Sequence, residues 1–269
     1  DWNSELDTPV GIELVLADHR EDKQIEAVGK ALETAAPRLH IERAKNESGL
    51  PGLQLKENIR FSALPLQKEF EPFLQALSYL GAPSPELPEG IQSKLDKINV
   101  PVMLKLYIAL ACPHCPAMVK TVIPLAIHCP NIHLDIIDGT LFSQKAQGDS
   151  VMSAPCLILD DDFRWTEYVD GEEITDMITQ RDPSRLGART LRTILENGDA
   201  EWLVDQMIER GEIFSSFYQL LLHETWSVRL GAMVVVEDLG DRAPDIAQTM
   251  CPVLMDAFEK HDITVQGDI

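Results

Sequence analysis

Two cysteines separated by two residues carry the clearest chemistry in this sequence: Cys112-Pro113-His114-Cys115. The apolar run Val102 to Leu110 before them reads as a buried strand, and the apolar run after them to about His128 reads as a helix. A C-x-x-C between a strand and a helix has a mechanism. The unpaired N–H groups of a first helical turn stabilise negative charge on a sulfur, and the thiolate is the nucleophile. Cys112 is therefore the expected attacking thiol, with its sulfur exposed. Cys115, one turn in, is expected to close a ring with it and expel the partner thiol. Pro113 suits the first helical position, where a missing N–H costs nothing. His114, when protonated, adds positive charge beside Cys112 and makes the couple relatively oxidising.

A metal site is the competing reading, because Cys112, Cys115, His128 and Cys129 superficially offer four ligands. The step from Cys115 to His128 spans a predicted helix, roughly 20 Å at 1.5 Å per residue. Zinc ligands must all lie about 2.0–2.3 Å from one ion. The spacing opposes a metal, so a redox-active disulfide without metal or bound cofactor is expected.

The elements around this motif form two similar sets. Val10–Ala17 reads as a strand, a helix carries Ile25, Val28, Ala31 and Leu32, and Leu39–Ala44 reads as a second strand. Leu50–Leu55 and Ile59–Ser62 read as an antiparallel pair, and Glu69–Tyr79 as a helix. The second set repeats the order: Val102–Leu110, the helix after the cysteines, Asn131–Asp138, the pair Ala154–Leu159 and Phe163–Tyr168, and the helix Gly171–Thr179. Equivalent strands lie about 90 to 105 positions apart, the signature of internal duplication. A Pro/Gly-rich segment, Gly81–Gly90, marks the seam. Pro124 is expected to bend its helix.

From about residue 184 strand signals vanish and helical spacing takes over. Leu186, Leu191, Ile194 and Leu195 come first; Trp202, Leu203, Met207 and Ile208 follow, then Ile213, Phe217, Leu220 and Leu221. Further helices are expected from Trp226 to Leu239 and from Ile246 to Phe258. The Val228-Arg229 pattern has a faint echo 37 positions on, at Val265-Gln266-Gly267-Asp268. That period is close to a HEAT-type helical repeat, and the last one stops as it starts, so a longer array is expected. The expected divisions are 1–88, 89–182 and 183–269.

Bulk properties narrow the function. The net charge of −21 over 269 residues argues against nucleic-acid or anionic-membrane partners, which are polyanions themselves. An acidic surface that keeps the chain soluble is the plain reading; steering of basic protein partners is the functional one. No apolar run is long enough for a membrane helix, and Asp1–Glu5 lacks the basic and apolar regions of a signal peptide. Five cysteines with a single C-x-x-C suit a cytoplasmic protein with one reactive pair. Cys129 and Cys251, in apolar settings, are expected to be buried core thiols, and Cys156 is expected to face the core.

The region from about 9 to 180 resembles the paired thioredoxin-fold domain at the N-terminus of the alkyl hydroperoxide reductase flavoprotein subunit. It also resembles the protein disulfide oxidoreductases of thermophiles and archaea. The residues that carry this are Ile59-Arg-Phe-Ser-Ala-Leu-Pro65 through Glu69-Phe70, Cys112-Pro-His-Cys-Pro116, Ile137-Asp-Gly139 and Val151-Met-Ser-Ala-Pro155. The resemblance implies an α/β protein with two tandem thioredoxin folds, the first lacking the C-x-x-C and the second active, followed by the HEAT-like helical segment. It implies that Pro155 is a cis-proline beside the reactive pair, with Ala154 presenting its backbone to an extended substrate. It also implies that Glu69 is a proton donor/acceptor contributed by the inactive half, where a half-buried carboxyl with a raised pKa would take the proton of Cys115 near neutral pH.

Two departures qualify the likeness. The Pro-His dipeptide differs from the flavoprotein's, which leaves potential and partner open. The segment after 184 has no G-x-G-x-x-G, so electrons must come from an external reductase or dithiol. In the first half Ala17-Asp18-His19-Arg20 stands where cysteines would be. The expected enzyme is a protein disulfide oxidoreductase acting on protein disulfides, a peroxiredoxin among them. The alternative is a redox-sensing scaffold whose helical C-terminal region binds a partner protein.

Overall fold

The computed structural model describes residues 9–46, 49–81 and 85–268. The expectations about Asp1–Glu5 and about residues 82–84 of the seam lie outside the described residues. The chain divides into two compact units: residues 1–159 with 163–179, and residues 160–162 with 180–269.

The first unit begins with strand β1 (Val10–Leu16), in which Val10, Ile12 and Leu14 are buried and alternate with exposed residues. That period of two lays one apolar face against helix α1 (Asp22–Ala35), which buries Ile25, Gly29 and Leu32. The Leu14 side chain fills the space a Cβ would need at Gly29, so the helix sits close to the strand there. β2 (Leu39–Lys45) runs parallel to β1, and β3 (Gly52–Lys56) and β4 (Ile59–Ser62) complete the first half as an antiparallel pair. Helix α2 (Phe70–Gly81) follows.

The second half opens with α3 (Glu89–Leu95) and β5 (Val102–Ile108), every residue of which is buried. Then come α4 (Cys115–His128), β6 (Ile132–Asp138), α5 (Ser143–Gly148), β7 (Cys156–Leu159), β8 (Phe163–Trp165) and α6 (Gly171–Thr179). The eight strands among the described residues make one sheet in the order β2-β1-β3-β4-β6-β5-β7-β8. Parallel pairing of β4 with β6, from Ile59 opposite Leu134 to Ser62 opposite Ile137, joins the halves. Asn58 pins that seam. Its buried amide donates to the carbonyls of Ala126 and Ile132, each at 2.8 Å.

Periodicity did not announce α3 and α5. At seven and six residues they are too short for an amphipathic stripe to register. Strand β8 stops at Trp165 instead of reaching Tyr168.

The second unit is helical: α7 (Ala188–Glu196), α8 (Ala200–Arg210), α9 (Tyr218–Leu221), α10 (Trp226–Arg242), α11 (Pro244–Gln248), α12 (Cys251–Phe258) and α13 (Ile263–Gln266). Gly211 ends α8 in the left-handed conformation, φ 71°, which explains a glycine there. Arg229, a buried charge of this unit, is only 2% exposed. It donates to the carboxylate of Asp268 at 2.7 Å and to the carbonyls of His223, Glu224 and Thr264. The expectation for Cys251 is corrected: it is exposed at the start of α12, because only Ala257 of that helix is buried.

Candidate active site

β5 delivers the chain to the site, and the bend after it carries Cys112. The Cys112 amide donates to the Ala109 carbonyl at 2.9 Å, which closes the turn. Helix α4 starts at Cys115 with His114 as its N-cap, and the proline in its first turn is Pro116. The expectation that Pro113 opens the helix is therefore corrected by two residues. Pro113 and His114 instead form the bend between the two cysteines, and His114 offers no side-chain cap. The orphan amide of Cys115 finds the Sγ of Cys112 at 3.1 Å. A helix's first N–H groups need such a partner, and here a sulfur serves.

Cys112 is partly exposed and Cys115 fully buried; neither is in a disulfide. Burial, followed by the bond with Cys112, raises the Cys115 thiol far above its ordinary value; the charge of a Glu69 carboxylate raises it too, and a backbone contact at Ala109 opposes. The Sγ of Cys112 also donates to the carbonyl of Ala154 at 3.5 Å. The Ala154–Pro155 peptide bond is cis. The structure thus brings Cys112, Cys115, Ala154 and Pro155 together.

Glu69 arrives from the other half. A tight turn, with the Leu66 amide donating to Leu64 O and Gln67 at φ 53°, feeds a single 3-10 turn, Gln67–Glu69, that points the Glu69 carboxyl inward. Glu69 is fully buried, and neither of its oxygens has a hydrogen-bond partner among the described residues. Burial, with the charge of Asp138 adding to it, raises its pKa to about 7. Asp138 ends β6, where its carboxylate accepts the amides of Thr140 and Leu141 at 2.8 and 3.2 Å. No role for Asp138 was readable from its spacing. An acid closing an apolar strand was the available signal.

Behind the site, the odd-numbered residues of β5 meet a second polar group. Asp149, just past α5, accepts from the Tyr107 hydroxyl at 2.5 Å, from Lys105 at 3.2 Å and from Lys145 at 3.0 Å. Burial pushes the Asp149 carboxyl up, but the bonds from Tyr107 and Lys145 and the Lys105 ammonium hold it below its ordinary value. Cys156 is buried on this same face, with Tyr107, Ile137 and Phe142. In the first half, Asp18 adopts φ 51° and the His19 ring packs on Phe142, centroids 5.4 Å apart. Among the described residues no group of three His, Cys, Asp or Glu is placed to hold a metal ion. His128, at the far end of α4 from Cys115, bonds to the Pro85 carbonyl.

The fold of the first unit has counterparts among solved structures. A protein disulfide oxidoreductase from Aeropyrum pernix superposes with a TM-score of 0.61 at 16% identity, covering 69% of this chain and 90% of that one. The N-terminal domain of alkylhydroperoxide reductase from Enterococcus faecalis superposes with a TM-score of 0.58 at 16% identity, covering 66% and 94%. The first unit is a tandem thioredoxin fold. By sequence, this tandem thioredoxin chain is similar to an alkyl hydroperoxide reductase of Pseudomonas aeruginosa, with 28% identity over 152 residues, 55% of this chain. It is also similar to an NADH dehydrogenase of Bacillus subtilis, with 24% identity over 133 residues, 49% of this chain. The matches span only 29% and 24% of those relatives' own lengths. No family model matches the chain.

Proposed function

We propose that this protein is a thiol–disulfide oxidoreductase that exchanges electrons with protein disulfides through Cys112 and Cys115. One observation carries the reading: a partly exposed sulfur, Cys112, sits at a helix N-terminus with the amide of a fully buried Cys115 donating to it.

The reaction runs in two steps. Cys112 attacks as a thiolate, forms a mixed disulfide with one substrate sulfur and releases the other as a thiolate. Cys115 then attacks Cys112 Sγ, which forms the internal disulfide and releases the second substrate thiolate. Two electrons pass to the substrate. The second step needs the Cys115 proton removed from a buried site that disfavours the anion. In this reading Glu69, a buried carboxyl with a pKa of about 7, accepts it, and its proposed role is proton transfer. Pro113 and His114 set the bend that holds the two sulfurs, and the Ala154–Pro155 edge is the surface for the substrate backbone. An external dithiol or reductase restores the pair.

Protein disulfides are the substrate class, a peroxiredoxin's being the first to test, in a cytoplasmic setting. No cofactor or metal enters the steps. The test is insulin reduction with dithiothreitol. Turnover by the wild type and none by Cys112→Ser supports the reading, and wild-type turnover at the uncatalysed rate overturns it.

A second reading has one observation in its favour. Trp226, Leu230 and Val234, spaced four apart along α10, are all exposed, at 57%, 42% and 49%. A redox-sensing scaffold would use such a helical face, in a HEAT-like array, to hold a partner. Retention of one protein partner by the wild type but not by Trp226→Ala, together with absent turnover, would favour it.

A further inference from the structure

Residues 150–155 carry the Ala154 carbonyl that receives Cys112, yet their outermost member, Met152, is 95% exposed. Something must fix so exposed a segment. Its far end is held with unusual density. Asp149 takes the Tyr107 hydroxyl and the Lys105 ammonium on one carboxylate oxygen, and Lys145 on the other. Tyr107 and Lys105 are buried in the central strand β5, so they are fixed points and not mobile surface groups. Arg164 of β8 adds bonds to the carbonyls of Asp149 and Ser150 at 3.3 and 3.1 Å. Ser150 then turns the chain at φ 55°, a conformation that costs a non-glycine residue about 1 kcal/mol and persists where surroundings over-determine it. Finally the Val151 amide donates to Ala146 O at 2.8 Å.

We propose that Asp149, clamped by Lys105 and Tyr107 from behind the sheet, is the positioning residue for the substrate-facing segment 150–155. It touches no reacting atom. It acts by fixing where the Ala154 backbone stands beside Cys112. A lysine and a tyrosine on an otherwise apolar strand thereby gain a purpose that packing alone does not supply. The functional half of this inference rests on the exchange reaction proposed above; the anchoring half does not.

The test uses the full chain and the variants Asp149→Ala and Tyr107→Phe, the second removing a single hydroxyl. Hydrogen exchange reads the anchor. In Asp149→Ala the Val151 amide should exchange about tenfold faster or more, the scale of one lost charge-assisted bond, while amides of the β5–β6 ladder keep their rates. Tyr107→Phe should move Val151 in the same direction by less. An unchanged Val151 rate in both variants, or an equal rise through the whole sheet, overturns the proposal. Kinetics read the consequence. KM for insulin should rise about tenfold while turnover of a small aromatic disulfide stays within about twofold, because only the extended substrate uses the 150–155 edge. Equal losses on both substrates would make Asp149 merely structural. A wild type inactive toward both disulfides would sink the thiol–disulfide reaction, while the Val151 exchange rates would still decide the anchor.

Discussion

The backbone amide of Cys115 donates to the sulfur of Cys112 across 3.1 Å. A bond of this kind strengthens when its acceptor gains negative charge. It supports the proposed attacking role of the first cysteine and the proposed resolving role of the second, whose own sulfur is buried. Replacing Cys112 by Ser should abolish insulin reduction. Replacing Cys115 should leave the first attack intact and accumulate a mixed disulfide, visible as a mass adduct on the peptide containing Cys112.

Glu69 should make the fold pH-sensitive in an unusual direction. A carboxyl raised from 4.5 to about 7 in the folded state binds its proton more tightly there than in the unfolded chain. Its contribution to stability is complete below about pH 4.5 and is lost as pH rises to about 7, by at most about 3 kcal/mol. Glu69→Gln should abolish this slope. Denaturant titrations at pH 5 and pH 8 would show a smaller difference between the two pH values in the variant than in the wild type.

Asp138 supplies part of that shift from a fixed position. Asp138→Asn keeps an oxygen for the Thr140 and Leu141 amides but removes the charge facing Glu69. The variant should move the Glu69 titration below its wild-type value of about 7, so the corresponding inflection in the rate–pH profile should move to lower pH. A profile unchanged in both Asp138→Asn and Glu69→Gln would remove the carboxyl from the mechanism.

The seam between the halves depends on one amide. Asn58→Ala leaves the carbonyls of Ala126 and Ile132 without their donor in a buried place. A loss of about 2–4 kcal/mol is expected, read as a lower unfolding midpoint with an unchanged denaturant slope.

In the helical unit, Arg229→Leu would strand three carbonyls and the Asp268 carboxylate. The expected loss is about 3 kcal/mol or more, against a smaller one for Asp268→Ala, because Asp268 keeps 22% of its side chain in water. Thermal unfolding midpoints of the two variants beside the wild type would separate them.

The strands and the position of the cysteine pair were legible because their signals are local. β1 alternates, β5 is a continuous apolar run, and the two cysteines stand where strand gives way to helix. The helix start was misplaced because Pro113 and Pro116 both satisfy the preference for proline in a first turn, and only the Cys115–Cys112 bond distinguishes them. Cys251 was misread because an apolar stretch does not disclose whether a neighbouring element covers it. Asp138 and Asp149 were beyond reach for a different reason. Their meaning lies in partners 69 and 42 positions away along the chain, Glu69 and Tyr107, and no spacing rule spans that distance.

The order of events at the two sulfurs can be read most directly with 5,5′-dithiobis(2-nitrobenzoate) on the reduced protein, with Cys251 replaced by Ser because that thiol is exposed. The wild-type pair should release about two equivalents of thionitrobenzoate and end as the Cys112–Cys115 disulfide, while Cys115→Ser should release about one and keep the adduct on Cys112. An adduct on Cys115 in the Cys112→Ser protein at the same rate, or none on Cys112 in the Cys115→Ser protein, would contradict the account.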